Sequence, residues 1–491
     1  MFYICDERGV WPRRQRRPSD CSSQLVRVKL IGEVLAPFFL VAAFEPIGLW
    51  FTAPIAFAIY LSFLKHQHRT ILYSIYFAFT ANLLILYWSG AYVGVLPWVA
   101  LSLLQTLYFL PIGILARFSN NIPLLISSIL VMEEVKARFP FGGFSWTRIA
   151  FSQINSPLAS IVTIGGVLSL SFATLLLAYL LITKKKSVAY VLLSLSILPS
   201  LVSVIQDSSE EKSLRFTAIQ GGTPSKGLDF NSRAMGVLNM HLAESYRSVK
   251  GDEDLIIWPE NAIDIDPLEN AIVREKINEL IKRTNVPLLG GAVLSEGPTN
   301  AAMLFREDGS IGSIYIKRYL TPFGEYIPLR SISEFLSPYA ERVDDFEPGQ
   351  VLKIHSVSGS KVSSIICFEI INDGIVREAA RSSGLMVVHT NSATFAGTAE
   401  GDQQLAITRL RALEHNREIV SISTTGPSAI ITARGEVIKS LKDGEIGSLS
   451  GEALILLKIS ISDYLGGFAP VITLIISLLW ALSSMRRKDN N

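Results

Sequence analysis

From about residue 30 to residue 205 the chain is a succession of apolar runs, and one more stands close to the C-terminus. This pattern constrains the fold more than any other feature. A helix needs roughly 20 apolar residues to cross a bilayer core, and in lipid its backbone polar groups must be satisfied within the helix. The runs delimit eight expected spans: Leu30–Phe44, Ile47–Leu64, Ile71–Val93, Val95–Ala116, Ile122–Val135, Leu158–Ile182, Val188–Ile205 and Phe468–Ser484. The first two abut at Glu45-Pro46-Ile47-Gly48, which reads as a tight turn between paired helices.

Charge placement orients the spans, because cytoplasmic loops carry an excess of Lys and Arg. Arg13, Arg14, Arg16 and Arg17 precede the first span, Lys65 to Arg69 follow the second, and Arg117 follows the fourth. Lys184–Lys186 follow the sixth span, and Arg486, Arg487 and Lys488 follow the last. With eight spans all of these fall on one side. Lys136 and Arg138 stand on the other, beside Glu133 and Glu134 with which they can pair. The division expected is a basic cytoplasmic segment over 1–29, a membrane domain with seven spans over 30–206, an exported domain over 207–466, and a final span with a basic tail over 467–491.

Composition narrows the function. Hydrophobic residues make up 49% of the 491 and charged residues 18%, against about 25% charged in soluble domains. That excludes a disordered chain, a coiled coil and a disulfide scaffold. A net charge of +2 gives no electrostatic case for nucleic-acid binding. Cys5, Cys21 and Cys367 are too few and too scattered for a metal cluster, so no metal is expected.

The exported segment alternates strand-like and helical stretches. Leu214–Ile219, Leu255–Trp258, Val286–Gly290, Val362–Cys367 and Leu385–His389 read as strands, and a hairpin pairs Ala302–Phe305 with Ser313–Ile316. Helical patterns fill Arg233–Val249, Leu268–Arg283, Ile375–Arg381 and Asp402–Glu418. The alternation implies an α/β sheet covered by helices.

Three positions carry candidate chemistry. Cys367 is the only cysteine of the exported segment and lacks an intrachain disulfide partner there. It reads either as a small buried hydrophobe or as a nucleophile exposed where a strand turns into the next element. Glu260 follows the apolar run Asp254-Leu-Ile-Ile-Trp-Pro, at a strand end where α/β sheets place ligands, or else as a solvated loop residue. Lys317 closes a hairpin strand ahead of Thr321-Pro-Phe-Gly-Glu325. Each signal is weak alone.

In the order Glu, Lys, Cys, with gaps of 57 and 50 residues, they form a constellation that resembles the nitrilase superfamily of carbon–nitrogen hydrolases. Set between membrane spans, it looks like the apolipoprotein N-acyltransferase branch. The resemblance includes Phe139-Pro-Phe-Gly-Gly-Phe-Ser-Trp-Thr-Arg, Trp258-Pro-Glu, Lys317-Arg-Tyr-Leu-Thr-Pro-Phe-Gly-Glu, Cys367-Phe-Glu and Thr408-Arg-Leu-Arg-Ala-Leu-Glu-His-Asn-Arg. Ser392 stands where many relatives carry Asp and Thr394 where many carry Trp; these forms resemble the actinobacterial branch.

The resemblance implies a multi-pass helical membrane domain joined to an αββα sandwich. It implies a bacterial cytoplasmic membrane with the catalytic domain outside, no cofactor, a phospholipid acyl donor and a diacylglyceryl lipoprotein acceptor. Cys367 would carry the acyl group as a thioester, Glu260 would move protons, and Lys317 would stabilise the oxyanion. Glu325 would support Lys317 or Glu260, and Phe368 and Glu369 would position substrate. Trp146 and Asn391 are expected to contact substrate; Trp146 reads equally as an anchor at headgroup depth. Arg148 is expected to meet a lipid phosphate or flank the membrane, and Glu133 to pair with Lys136. The alternatives are a membrane-tethered amidase, and a non-catalytic scaffold with a nitrilase-like domain.

Overall fold

In the computed structural model of the chain the described residues are 18–66, 69–91, 94–183, 212–225, 227, 233–331, 334 and 344–489. The expected span Val188–Ile205 and the basic residues at 13–17 and 184–186 lie outside them.

Among the described residues the N-terminal half has seven helices: α1 (Pro18–Ala43), α2 (Thr52–His66), α3 (Thr70–Ile85), α4 (Val95–Leu107), α5 (Leu110–Phe118), α6 (Ile122–Lys136) and α7 (Val162–Thr183). Among the described residues of the whole chain three helical stretches are long and apolar enough to cross a membrane: Val95–Phe118, Ala159–Thr183 and Phe468–Arg486. Ile31–Ala43, Thr52–Lys65 and Thr70–Ile85 are apolar but shorter. The expected boundaries shift where polar tertiary contacts intervene. The run Ile71–Val93 is helical only to Ile85 and then tightens into a 3-10 turn at Tyr87–Gly90, from which the Trp88 indole N–H donates to Gln403 at 3.0 Å. Helix α7 breaks at Gly166 (φ 71). A Cβ there would stand 3.1 Å from Ser462 Oγ and 3.2 Å from Glu414 Oε1, so the bend lets the C-terminal half approach.

That half is two six-stranded sheets. The first runs β12–β1–β2–β3–β4–β5, with β1 (Ser213–Gln220), β2 (Leu255–Ile257), β3 (Leu288–Leu294), β4 (Thr299–Phe305), β5 (Ile311–Ile316) and β12 (Gly447–Leu454). The second runs β11–β10–β9–β8–β7–β6, with β6 (Ile354–Val357), β7 (Ser360–Ile366), β8 (Leu385–Thr390), β9 (Glu418–Ser423), β10 (Ser428–Ile431) and β11 (Val437–Leu441). In each sheet the parallel strands are central: β1, β2 and β3 in one, β7, β8 and β9 in the other. Between the sheets lies an apolar core that includes Phe216, Ile257, Leu289, Val362, Val387 and Val420.

Helices α8 (Gly236–Ser248) and α9 (Ala271–Thr284) cover the outer face of the first sheet. In α9 the Asn270 side chain caps the start by accepting from the Ile272 and Val273 amides. Val273, Ile277, Leu280 and Ile281 then form its buried stripe at helical spacing. Helices α10 (Asp373–Ser382) and α11 (Glu400–His415) cover the second sheet. Short α12 (Ile461–Leu465) leads to α13 (Phe468–Asp489). The layers are therefore α, β, β, α.

The two halves share one apolar cluster, running from Leu40 and Phe57 through Trp146 and Phe151 to Phe368 and Leu410. Buried charges cross the same joint. Arg148 is fully buried and meets Glu134 at 2.7 Å and Asp373 at 2.7 Å; Arg411 meets the other Asp373 oxygen at 2.6 Å. Arg148 thus faces neither lipid phosphate nor water. Lys136 lies 3.9 Å from Glu133, and Arg138 pairs with Glu134 at 2.5 Å.

Gly291 on β3 lies directly beneath the backbone of Glu260. A Cβ there would stand 2.4 Å from Pro259 O and 2.6 Å from Glu260 Cα, whereas at Gly290 the nearest atom is 3.4 Å away. Gly291→Ala is therefore expected to destabilise the protein by about 1–3 kcal/mol, and Gly290→Ala by much less. Thermal unfolding in detergent measures both.

Candidate active site

Three loops meet at the ends of the central strands. Strand β7 ends at Ile366, and a 3-10 turn, Cys367–Ile371, begins at once. Cys367 sits at φ 49, a left-handed conformation costly for a residue with a Cβ and common at functional sites. The turn leaves the thiol half-buried above the sheet rather than within it. Glu260 follows β2 after Pro259, and Lys317 follows β5. These are the sheet ends at which α/β folds place ligands.

Lys317 is almost fully enclosed. Its Nζ lies 2.8 Å from Glu325 Oε2, 2.9 Å from Glu325 Oε1 and 3.3 Å from Glu260 Oε1. The Asn300 amide donates to Glu260 at 2.6 Å and to Glu325 at 2.8 Å, bridging the carboxylates. Glu325 also accepts from the Thr321 amide at 2.8 Å. Burial opposes the charge on Lys317, but Glu325 and Glu260 outweigh it and hold the ammonium above its usual range. Burial pushes Glu260 up; Lys317 pulls it down and Glu325 pushes it up again, leaving it above the usual carboxylate range.

Burial likewise raises the Cys367 thiol well above its usual range. Glu260 and Glu400 add to the rise, and Lys317 and a Gln404 hydrogen bond oppose it. The Gln404 side-chain amide donates to Sγ at 3.7 Å. The resting residue is a neutral thiol that needs a proton acceptor to become a nucleophile.

Glu369 ties these loops together. Its Oε1 accepts from the Tyr315 hydroxyl at 2.8 Å, the Arg318 amide at 2.7 Å and the Tyr319 amide at 3.2 Å. Its Oε2 accepts from the Ile366 amide at 2.8 Å. One carboxylate thereby fastens the residues after Lys317 to the residue before Cys367. It is fully buried and its contacts lie inside the protein. The Phe368 ring stacks on Tyr319 at 5.2 Å and packs against Phe144 at 5.7 Å, and the Tyr319 hydroxyl donates to Gly143 O.

Both halves of this arrangement have relatives. A family model described as the apolipoprotein N-acyltransferase N-terminal domain matches residues 36–180, and one described as carbon–nitrogen hydrolase matches residues 218–462. A protein named apolipoprotein N-acyltransferase from Mycolicibacterium smegmatis is 30% identical over 445 residues, covering 81% of this chain and 75% of that one. The chain belongs to the apolipoprotein N-acyltransferase family. A namesake from Aquifex aeolicus is 28% identical, over 65% of this chain and 73% of that one. Among solved structures, an amidase from Nesterenkonia sp. aligns with 19% identity and a TM-score of 0.38, over 50% of this chain and 91% of that one.

Two further expected site residues, Trp146 and Asn391, make their polar contacts within the protein. Trp146 is 2% exposed, and its indole N–H donates to Gln403 at 2.7 Å. It packs 4.9 Å from Trp88, in the apolar cluster shared by the two halves. Asn391, after β8, donates to Asn261 at 3.3 Å and accepts from Thr424 at 2.7 Å. Asn300, Thr321, Gln403, Gln404 and Glu400 were not found by sequence reasoning. The spacing of Glu400 and Gln404, one helical turn apart on α11, is a signal that could have found two of them. Among the described residues no group of three or more His, Cys, Asp or Glu could hold a metal ion.

The electrostatics makes a two-way prediction. Glu260 raises the Cys367 thiol, so Glu260→Gln lowers it and increases the thiolate fraction. Iodoacetamide labelling of Cys367 at pH 8 is expected to quicken several-fold in this variant. Labelling slower than in the native enzyme would contradict the charge assignment.

Proposed function

We propose that Cys367 is the nucleophile, Glu260 the proton carrier and Lys317 the oxyanion-stabilising cation of a two-step acyl transfer from a phospholipid to the N-terminal diacylglyceryl-cysteine of a lipoprotein. The observation that carries this reading is the enclosure of Lys317 between Glu260 and Glu325 at 2.8–3.3 Å, beside a half-buried thiol on which both Glu260 and Lys317 act.

In the first step Glu260 takes the thiol proton and sulfur attacks an ester carbonyl of the phospholipid. Lys317 faces the developing oxyanion; one such preorganised interaction is worth about 3–4 kcal/mol. The carbon–oxygen bond breaks, Glu260 returns its proton to the departing alkoxide, and a thioester remains. In the second step the lipoprotein's α-amino nitrogen attacks the thioester, the carbon–sulfur bond breaks, and Glu260 carries a proton from nitrogen to sulfur. The raised position of Glu260 suits this work, because a carboxylate too acidic would accept no proton from a thiol. Glu325 and Glu369 act as positioning residues, Glu325 on Lys317 and Glu369 on the loops that carry Lys317 and Cys367.

Both substrates keep acyl chains in lipid, which accounts for the joining of a hydrolase-like sandwich to apolar helices. The full reading has eight spans, both termini inside, and the catalytic domain facing the outer leaflet of a bacterial cytoplasmic membrane. The basic runs beside the helices support that orientation.

The test is intact-protein mass spectrometry of detergent-purified enzyme mixed with a defined phospholipid, alongside Cys367→Ala. The native protein is expected to gain one acyl mass, labile to hydroxylamine and discharged by a lipopeptide but not by water. The variant is expected to gain none. An equal gain in the variant removes Cys367 from the mechanism, and discharge by water alone makes the enzyme a hydrolase.

A further inference from the structure

A second carboxyl group stands at the thiol, unused by this mechanism. Glu400 opens α11 and is 3% exposed. One turn later on the same helix, Gln404 donates to Cys367 Sγ at 3.7 Å. The charge of Glu400 acts on both Cys367 and Glu260. Ser392 opposes the upward shift of the Glu400 carboxyl, and Glu400 Oε2 is buried with no hydrogen-bond partner. Leaving such an atom unmet costs about 1–3 kcal/mol, so it is suited to a donor that arrives with substrate. The ester under attack in the first step has only acceptor atoms at its reacting centre. The α-amino group of the second substrate is the donor.

Resting on the acyl-enzyme reading above, we propose that Glu400 binds the α-ammonium group of the acceptor and takes the proton that keeps its nitrogen from attacking. The balance is complete. The ammonium gives one proton to the Glu400 carboxylate and becomes a neutral amine. The amine attacks the Cys367 thioester, the nitrogen–carbon bond forms and the carbon–sulfur bond breaks. Glu260 moves the second nitrogen proton to sulfur, and Glu400 releases the first to solvent.

The surroundings suit such an exchange. Burial raises Glu400 to about 8; Ser392 opposes the rise, and Glu260, Asp402 and Asp443 add to it. A free α-amino group titrates near 7.7–8.0, so proton transfer between the two is close to balanced, the condition under which a general base works best. Ser392, which stands where many relatives carry Asp, holds the carboxyl group without adding another charge.

The test separates the half-reactions in the full-length enzyme. Glu400→Gln is expected to form the acyl-enzyme at least as fast as the native protein, because a charge opposing the thiolate has gone. Its discharge by a synthetic diacylglyceryl-cysteinyl peptide is expected to fall about 10²-fold, the lower range for a positioned proton acceptor. Discharge by hydroxylamine, whose nitrogen is already neutral at pH 7, is expected to match the native rate. Unchanged discharge by the peptide overturns the proposal, as does an equal fall with peptide and hydroxylamine, which would mark a structural role. If the native protein gains no acyl mass, the Cys367 reading falls and this one with it. If native protein acylates and Glu400→Gln discharges normally, only the Glu400 assignment falls.

Should Glu400→Gln not fold, Ser392→Ala serves instead. Removing the hydroxyl that opposes the rise of Glu400 lets its titration move higher, so the pH midpoint of peptide discharge is expected to move upward. An unmoved midpoint overturns the proposal.

Discussion

The site depends on one buried cation shared unequally by two carboxylates. Taking each ion out of water costs several kcal/mol unless a well-placed partner repays it. That requirement draws the end of β2, the end of β5 and the 321–325 turn to a single point. The sharing is what makes the cluster chemically useful. Lys317 sits 2.8 and 2.9 Å from the two Glu325 oxygens and 3.3 Å from Glu260. Two carboxylates and one ammonium leave an excess negative charge, and the weaker partner is the one inclined to take up a proton. Glu260, the more distant partner of Lys317, is the carboxylate to which the proposed mechanism gives the proton transfer.

Burial has an opposite consequence at Cys367. The same enclosure that strengthens the Lys317 pairings pushes the thiol up, and the nearby carboxylates push it further. In the mechanism proposed above the thiol therefore depends on proton transfer at the moment of attack rather than on a standing thiolate. Glu369 holds the left-handed turn at Cys367 against the strand end that carries Lys317, so thiol and cation are registered to each other by a single carboxylate.

Much of this was legible in the sequence. Parallel strands such as Leu385–Thr390 are buried on both faces and read as continuous apolar runs. The order of Glu260, Lys317 and Cys367 identified the constellation although each residue alone was ambiguous. Strands β6 and β9 to β12 were missed: β9 breaks its buried apolar run with Glu418, Ser421 and Ser423, and the others are short or half-exposed without clean alternation. Helix ends in the apolar half were misplaced for another reason. Composition cannot tell an α-helix from the 3-10 turn at Tyr87–Gly90, whose Trp88 is held by a glutamine more than 300 residues away. Trp146 and Arg148 read as lipid-facing because their partners, Gln403 and Asp373, are equally remote.

Those remote partners explain how the apolar half bears on the chemistry. Gln403 accepts from Trp88 and Trp146, and its own amide donates to the Glu45 and Ile85 carbonyls at 3.1 Å. A single side chain thus closes on the α1–α2 turn, the end of α3, the turn that carries Trp88 and the loop that carries Trp146. The next residue, Gln404, touches Sγ of Cys367. Successive residues on a helix point in different directions, so α11 presents one glutamine to the membrane helices and its neighbour to the nucleophile. Arg411, two turns further along, meets Asp373 together with Arg148 from the opposite half. A shift of the helical half against the sandwich would therefore move α11, and with it both groups that border the thiol from that side, Gln404 and Glu400. The apolar helices and the thiol are joined through α11, and the register of that helix is the constraint they share.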